Sequence, residues 1–128
     1  MEKKIKTSPL AAWREHLHAG NLAFQRDTAT GKPVFYPRVA APGSGNTELA
    51  WEVSGGLGTV YATTAIAQRD KSAYNVALID MDEGFRLMSR VESVAAEDVK
   101  IGQRVKVRIH QPGGEEAPYP VFDIVDAA

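Results

Sequence analysis

The chain contains no cysteine among its 128 residues. That absence excludes a disulfide framework and any thiolate metal site, and it leaves the redox compartment undetermined. No apolar run approaches the length of a membrane-spanning helix. The basic start, Met1 to Lys6, is not followed by an apolar segment, so neither a signal peptide nor a membrane association is expected, and the cytoplasm is the default location. Excess charge is also missing. The 15 Lys and Arg against 16 Asp and Glu give a formal net charge of -1, which removes any global attraction to nucleic acid while leaving local basic patches open. Histidine is scarce, with three residues, none in a motif that pairs a nucleophile with a base and an orienting group. His110, beside Gln111, is the one nearest a candidate cleft, and it reads as a surface residue. The Gly55-Gly56-Leu57-Gly58 run resembles a phosphate loop in composition only. Phosphate loops open a helix N-terminus, whereas this run opens a strand, where it serves as a bend. Catalysis by this chain alone therefore finds no support.

What is present fits one domain with its own core: 44% of residues are hydrophobic and 24% charged, as in ordinary soluble globular proteins. Ser8 followed by Pro9 is a helix start, a hydroxyl cap and then a residue suited to the first helical position. Leu10, Trp13 and Leu17 recur at helical spacing and Gly20 supplies a stop. Such a helix, about three turns long, is marginal alone in water and must bury its stripe, either on its own domain or on another subunit. His16 and His18, two apart, do not face one site, so a metal there is not expected.

Leu22 to Gln25 reads as a short strand. From Asp27 to Ala50 the chain is rich in glycine and proline with little periodicity, and a connection that long inside a compact domain is uncommon unless it has a task or was inherited. Phe35 and Tyr36 sit in it, as anchors of the loop or as partner contacts. Thr59 to Gln68, Tyr74 to Met81 and Phe85 to Val91 then read as three antiparallel strands. The turns between them are Arg69 to Ser72 and Asp82-Glu83-Gly84. On the third strand Phe85, Leu87 and Val91 face one way, and Arg86, Met88 and Arg90 the other. Ala95 to Val99 suits one helical turn. After Gly102, Val105, Val107 and Ile109 alternate with Arg104, Lys106, Arg108 and His110. Pro112-Gly113-Gly114 turns the chain into a last strand, Tyr119 to Val125. Three meandering strands, a short helix and two more strands is the order of an OB-fold barrel, although other small barrels share it. The usual binding surface of that fold falls on strands two and three and on the loops Gln68 to Ala73 and Gln111 to Ala117.

The chain resembles the acyl-CoA-associated proteins of domain-of-unknown-function family 35, which join an N-terminal helix and a rubredoxin-like zinc ribbon to an OB-fold. The match runs through Gly58, Val60 and Thr64; Ile79, Asp82, Glu83 and Gly84; Ile101, Gly102, Val105 and Val107; and Pro120, Val121 and Phe122. Upstream it includes Trp13, Leu22, Pro37 and Arg38. The resemblance implies a mainly β protein: an N-terminal helix in 1–21, a ribbon-like segment in 22–50 and a five-stranded OB-fold barrel in 51–128. Where the family's ribbon carries two pairs of cysteines, this chain has Asp27 and Thr30, then Ala41 and Ser44. One plausible ligand in four does not make a zinc tetrahedron, so a degenerate, metal-free ribbon is expected. Two further departures are Ala62, where a serine is common, and Ala73, where a proline is.

The resemblance further implies a non-catalytic accessory or scaffold subunit for an acyl-CoA enzyme, whether thiolase-like, an aldolase or a hydratase. No tightly bound cofactor is expected, and a CoA thioester is the expected ligand. Cationic groups for the CoA phosphates would come from Arg69, Lys71, Arg86 and Arg90, with Tyr74, Asn75 and Met88 beside them. Leu10, Trp13, Leu17, Phe35 and Tyr36 form the expected partner interface, and a homo-oligomer is compatible with the same surfaces. The alternative, single-stranded nucleic-acid binding, has a basic stripe from Arg104 to His110 but lacks interleaved aromatic residues.

Overall fold

A computed structural model of the chain describes residues 8–125. Helix α1, Pro9–His18, begins at the Ser8 cap, whose Oγ accepts from the Ala11 N–H at 3.1 Å. Leu17 is fully buried, and the Trp13 indole N–H donates to the Ala23 carbonyl at 3.1 Å. The helix thus spends Trp13 and Leu17 on its own chain and leaves Leu10 exposed.

Three short strands follow: β1, Ala23–Asp27, β2, Pro33–Val34, and β3, Leu49–Val53. They form an antiparallel sheet in the order β2-β1-β3. The pairing of this sheet runs to Val53, and the stretch expected to be irregular contains β2 and the start of β3. Strand β3 is held by pairing along all of β1 and by the Arg26–Glu52 ion pair across it. Five residues with no clear alternation could not announce that distant partner.

The remaining strands are β4, Leu57–Gln68, β5, Lys71–Met81, β6, Arg86–Ser89, β7, Arg104–His110, and β8, Tyr119–Ile124, with a single 3-10 turn at Ala96–Asp98. Their sheet order is β6-β5-β4-β7-β8. It closes where Phe122 N–H donates to the Arg90 carbonyl at 2.9 Å and Glu92 N–H to the Phe122 carbonyl at 2.8 Å. This is the five-stranded OB-fold barrel, partly open because the outer edge of β6 pairs with no other strand. Strand β4 belongs to both sides. It pairs with β7 over Leu57–Thr59 and with β5 along most of its length, changing register between Val60 and Ala62. The turn after it is tighter than the sequence suggests, since β5 already starts at Lys71.

One core serves ribbon and barrel together. Leu22 and Phe24 from the ribbon join Val60, Ile79, Leu87, Val105 and Phe122 from the barrel, each worth roughly 1.5–3 kcal/mol of burial. Phe85, Leu87 and Val91 point inward and Arg86 and Met88 outward, as their alternation requires. Gly58 is where β4 passes closest to β5: a Cβ there would lie 2.8 Å from both the Asp80 carbonyl oxygen and Ile79 Cγ2. Backbone cannot yield as a flexible side chain can. Gly58→Ala should therefore cost about 1–3 kcal/mol, read as a lower urea midpoint; an unchanged midpoint would show that the strands have room to part.

Candidate functional site

A cleft of about 370 Å³ opens where the ribbon loop crosses the outer edge of β6. Trp13, Phe35 and Tyr36 wall one side, Tyr74 and Met88 the other, and Tyr119 of β8 closes the end. Phe35 is set by stacking on Phe85, with centroids 4.9 Å apart, and by an edge contact to Trp13 at 6.0 Å. The Tyr36 hydroxyl accepts from the Met88 N–H at 3.1 Å, so the ribbon satisfies a backbone donor on the edge strand. Met88 itself is 61% exposed and Tyr36 52%, an open apolar surface rather than a sealed core.

Arg90 stands at the rim. Its guanidinium lies 5.8 Å from the centroid of the Tyr74 ring. Its Nε is 3.1 Å from a Glu92 carboxylate oxygen, close enough for an ion pair, yet the buried N–H makes no hydrogen bond. On the far side of Tyr74 and Arg90 lies a second, more polar concavity of about 460 Å³ that includes Lys71 and Ala73. Tyr74, Met88 and Arg90 are thus brought together, with Lys71 next door.

Other expected site residues are placed elsewhere. Arg69 is exposed in the β4–β5 turn and lines neither concavity. Arg86 sits at the opposite end of β6, ion-paired to Asp80 and stacked over Tyr61 at 3.5 Å; the Asp80 hydrogen bond raises its pKa further. Asn75 borders the cleft, but its amide is consumed internally. It donates to Thr63 Oγ1 at 2.8 Å and to the Thr64 carbonyl at 3.1 Å, and accepts from the Val91 N–H at 2.9 Å. Asn75 is thereby a structural pin of the cleft wall. Of the expected interface residues, Leu10 and Tyr36 are exposed, whereas Leu17 is buried and Trp13 and Phe35 pack against the chain's own core. Tyr119 and Pro120 were not anticipated, because only barrel closure carries the start of β8 to the cleft.

The two arginines of the basic stripe of β7 are ion-paired. Arg104 makes two bonds to Asp82 at 2.7 and 2.8 Å, and Arg108 binds Asp123 at 2.9 Å and Glu92 at 3.1 Å. Hydrogen bonding to Asp123 first, then Glu92, drives the Arg108 pKa well upward. Lys106 sits opposite Asp123 in the register. A stripe so paired offers little free charge to a phosphate backbone. His110 contacts the Tyr119 ring and His16 the Trp51 ring, both as packing partners.

The four positions expected to correspond to a ribbon's metal ligands converge: Asp27, Thr30, Ala41 and Ser44 all line one concavity. Their donor set does not suit zinc. It has one carboxylate, two hydroxyls and a methyl, with no sulfur or imidazole. Among the described residues, no three His, Cys, Asp or Glu side chains gather as a metal site. Instead, the buried Asp27 carboxylate accepts from Ser44 Oγ at 2.7 Å, Asn46 Nδ2 at 2.8 Å and the Ala29 N–H at 2.8 Å. These donors favour the ionised form, Asn46 most and then Ser44, and hold its pKa far below the usual carboxylate range.

Residues 51–110 match the family model of the ChsH2 C-terminal OB-fold domain. In structure, 95% of the chain aligns with 98% of a chain in a solved structure described as an Ltp2-ChsH2(DUF35) aldolase, with a TM-score of 0.81 and 24% identity. Likeness at that identity establishes the fold. No curated protein matches the sequence. Among the described residues no helix is long and apolar enough to cross a membrane.

Because the folded pKa of Asp27 is depressed, its contribution to stability is complete above the unfolded carboxylate value of about 3.9 and fades as pH falls through the lower folded value. Acidification below about pH 4 should therefore lower the melting temperature of the wild type more than that of Asp27→Asn, which has no charge to lose. Parallel declines would assign the acid sensitivity to other carboxylates.

Proposed function

We propose that this chain, whose residues 51–110 match the model of the ChsH2 C-terminal OB-fold domain, is a non-catalytic accessory subunit of an acyl-CoA-metabolising enzyme and offers its cleft to the CoA thioester. The observation that carries this reading is the open apolar cleft between ribbon and barrel, rimmed by Arg90, whose buried Nε is ion-paired to Glu92 but makes no hydrogen bond. A pantetheine arm is a narrow chain of methylenes and amides, suited to aromatic walls such as Tyr36, Tyr74 and Tyr119. The phosphates at its end need cations, and Arg90 and Lys71 flank Tyr74 on the two sides. The chemistry then belongs to the partner. The aldolase named for the similar structure supports an aldolase as partner class, beside thiolase-like and hydratase enzymes. Exposed Met88, Tyr36 and Leu10 supply the apolar surface for docking.

Two measurements test this. Co-expression with the enzymes encoded beside it should bring an acyl-CoA enzyme down with the chain. In calorimetry, Tyr74→Ala and Arg90→Gln should each weaken CoA binding about tenfold, or roughly 1.4 kcal/mol, whereas Arg86→Gln, whose partner is Asp80, should leave affinity unchanged. A protein that gives no heat with CoA and captures no such enzyme is not this kind of subunit.

A further inference from the structure

The two loops that meet at Asp27 are built alike. In the first, Asp27 N–H donates to the Lys32 carbonyl at 2.9 Å and Gly31 N–H to the Asp27 carbonyl at 2.7 Å. In the second, Ala41 N–H donates to the Asn46 carbonyl and Gly45 N–H to the Ala41 carbonyl, both at 2.9 Å. Gly31 and Gly45 hold the same place in each loop and share a left-handed backbone, at φ +76 and +70. Both loops are therefore the same backbone knuckle, the first residue of each being Asp27 or Ala41 and the fourth Thr30 or Ser44. A metal bound between such loops would tie them through four ligands. Here the tie runs from a single carboxylate of one loop to a hydroxyl and an amide of the other.

We propose that the Asp27 carboxylate replaces a metal ion as the fastener of the ribbon, joining the two knuckles through Ser44 and Asn46 and thereby positioning Phe35 and Tyr36 at the cleft. The connection to the cleft is short. Phe35 borders the knuckle concavity on one side and the cleft on the other. The segment after Tyr36 is secured by Gln25 in β1, which donates to the Arg38 carbonyl at 2.8 Å and accepts from its N–H at 2.7 Å. Asn46 extends the fastener to Thr28 and to the Glu48 backbone, at 3.1 and 3.2 Å. Ala41 is buried and turns a methyl to the place where a fourth ligand would stand. The ribbon is then a metal-independent mount for the cleft wall, and Asp27 is a positioning residue.

Both tryptophans of the chain, Trp13 and Trp51, lie in the helix and ribbon, so their emission reports on how this half is packed. Protein purified from zinc-supplemented medium should contain far less than one zinc per chain, and chelator should change neither its tryptophan emission nor its melting temperature. Asp27→Ala should red-shift the emission and lower the melting temperature, with Ser44→Ala a milder variant in the same direction. Replacing Asp27, Thr30, Ala41 and Ser44 together by cysteine should, under reduction, create a site for one cobalt(II) ion per chain, with the d–d bands of tetrahedral thiolate coordination and wild-type emission restored. Stoichiometric zinc in the wild type would overturn the proposal. So would wild-type emission and melting in both Asp27→Ala and Ser44→Ala, or a four-cysteine protein with native emission that ignores cobalt. None of these readings uses CoA or a partner enzyme, so they stand or fall apart from the accessory-subunit reading.

Discussion

The structure depends on one aromatic stack. Phe85, the residue that leads into β6, lies between Phe24 of β1 at 4.8 Å and Phe35 of the ribbon loop at 4.9 Å. Contacts of this kind add about 0.5–1.5 kcal/mol each beyond the area they bury. The geometric consequence matters more than the energy. With Phe35 fixed on the barrel, Tyr36 reaches the Met88 N–H, and the ribbon becomes one wall of a cleft whose other wall is the barrel sheet. Neither half could make that cleft alone.

The barrel wall has its own constraint. Asn75 ties β5 to β4 through Thr63 and Thr64, and to the chain after β6 through Val91, just where Val91 bridges to Phe122 and the barrel closes. A buried amide satisfied at three points holds its neighbours in register, since leaving any one of those groups unpaired costs about 1–3 kcal/mol. Tyr74 and Val76, on either side of Asn75 in β5, face the cleft from a strand that cannot slide.

Local pattern made much of this legible. Period-two alternation set the inward faces of β6 and β7 and hence the core residues Phe85, Leu87 and Val105. The Ser8-Pro9 cap and the acidic-glycine hairpin are local devices and could be read locally. What stayed hidden involves partners far along the chain. Strand β3 needs β1, Tyr119 needs barrel closure, and Asn75 looks like any exposed polar residue until Thr63, Thr64 and Val91 surround it. Arginine shows the same boundary. Arg86 and Arg90 look alike in sequence, yet cross-strand register gives Arg86 a hydrogen-bonded partner in Asp80, whereas Arg90, just past the end of β6, is ion-paired to Glu92 with no hydrogen bond at its Nε.

That difference shows what a near-neutral chain can do with its charges. Arg26, Arg86, Arg104 and Arg108 each hydrogen-bond a carboxylate. Exposed pairs of this kind add little stability, but they remove free cations from most of the barrel surface. Arg90, beside the cleft, is also ion-paired, to Glu92, and differs from its neighbours only in that its Nε makes no hydrogen bond. The ribbon follows a related logic. Its two knuckles are closed by backbone hydrogen bonds, which do not depend on which side chains stand at the first and fourth positions. The loops therefore keep their shape whether or not a metal ties them. A carboxylate can serve as the new tie only if water is kept from it and its oxygens are met by donors; Asp27, 2% exposed and bonded to both loops, satisfies both conditions. Metal and carboxylate are thus alternative solutions to one mechanical requirement, that the loop bearing Phe35 be held still while the cleft beside it stays open.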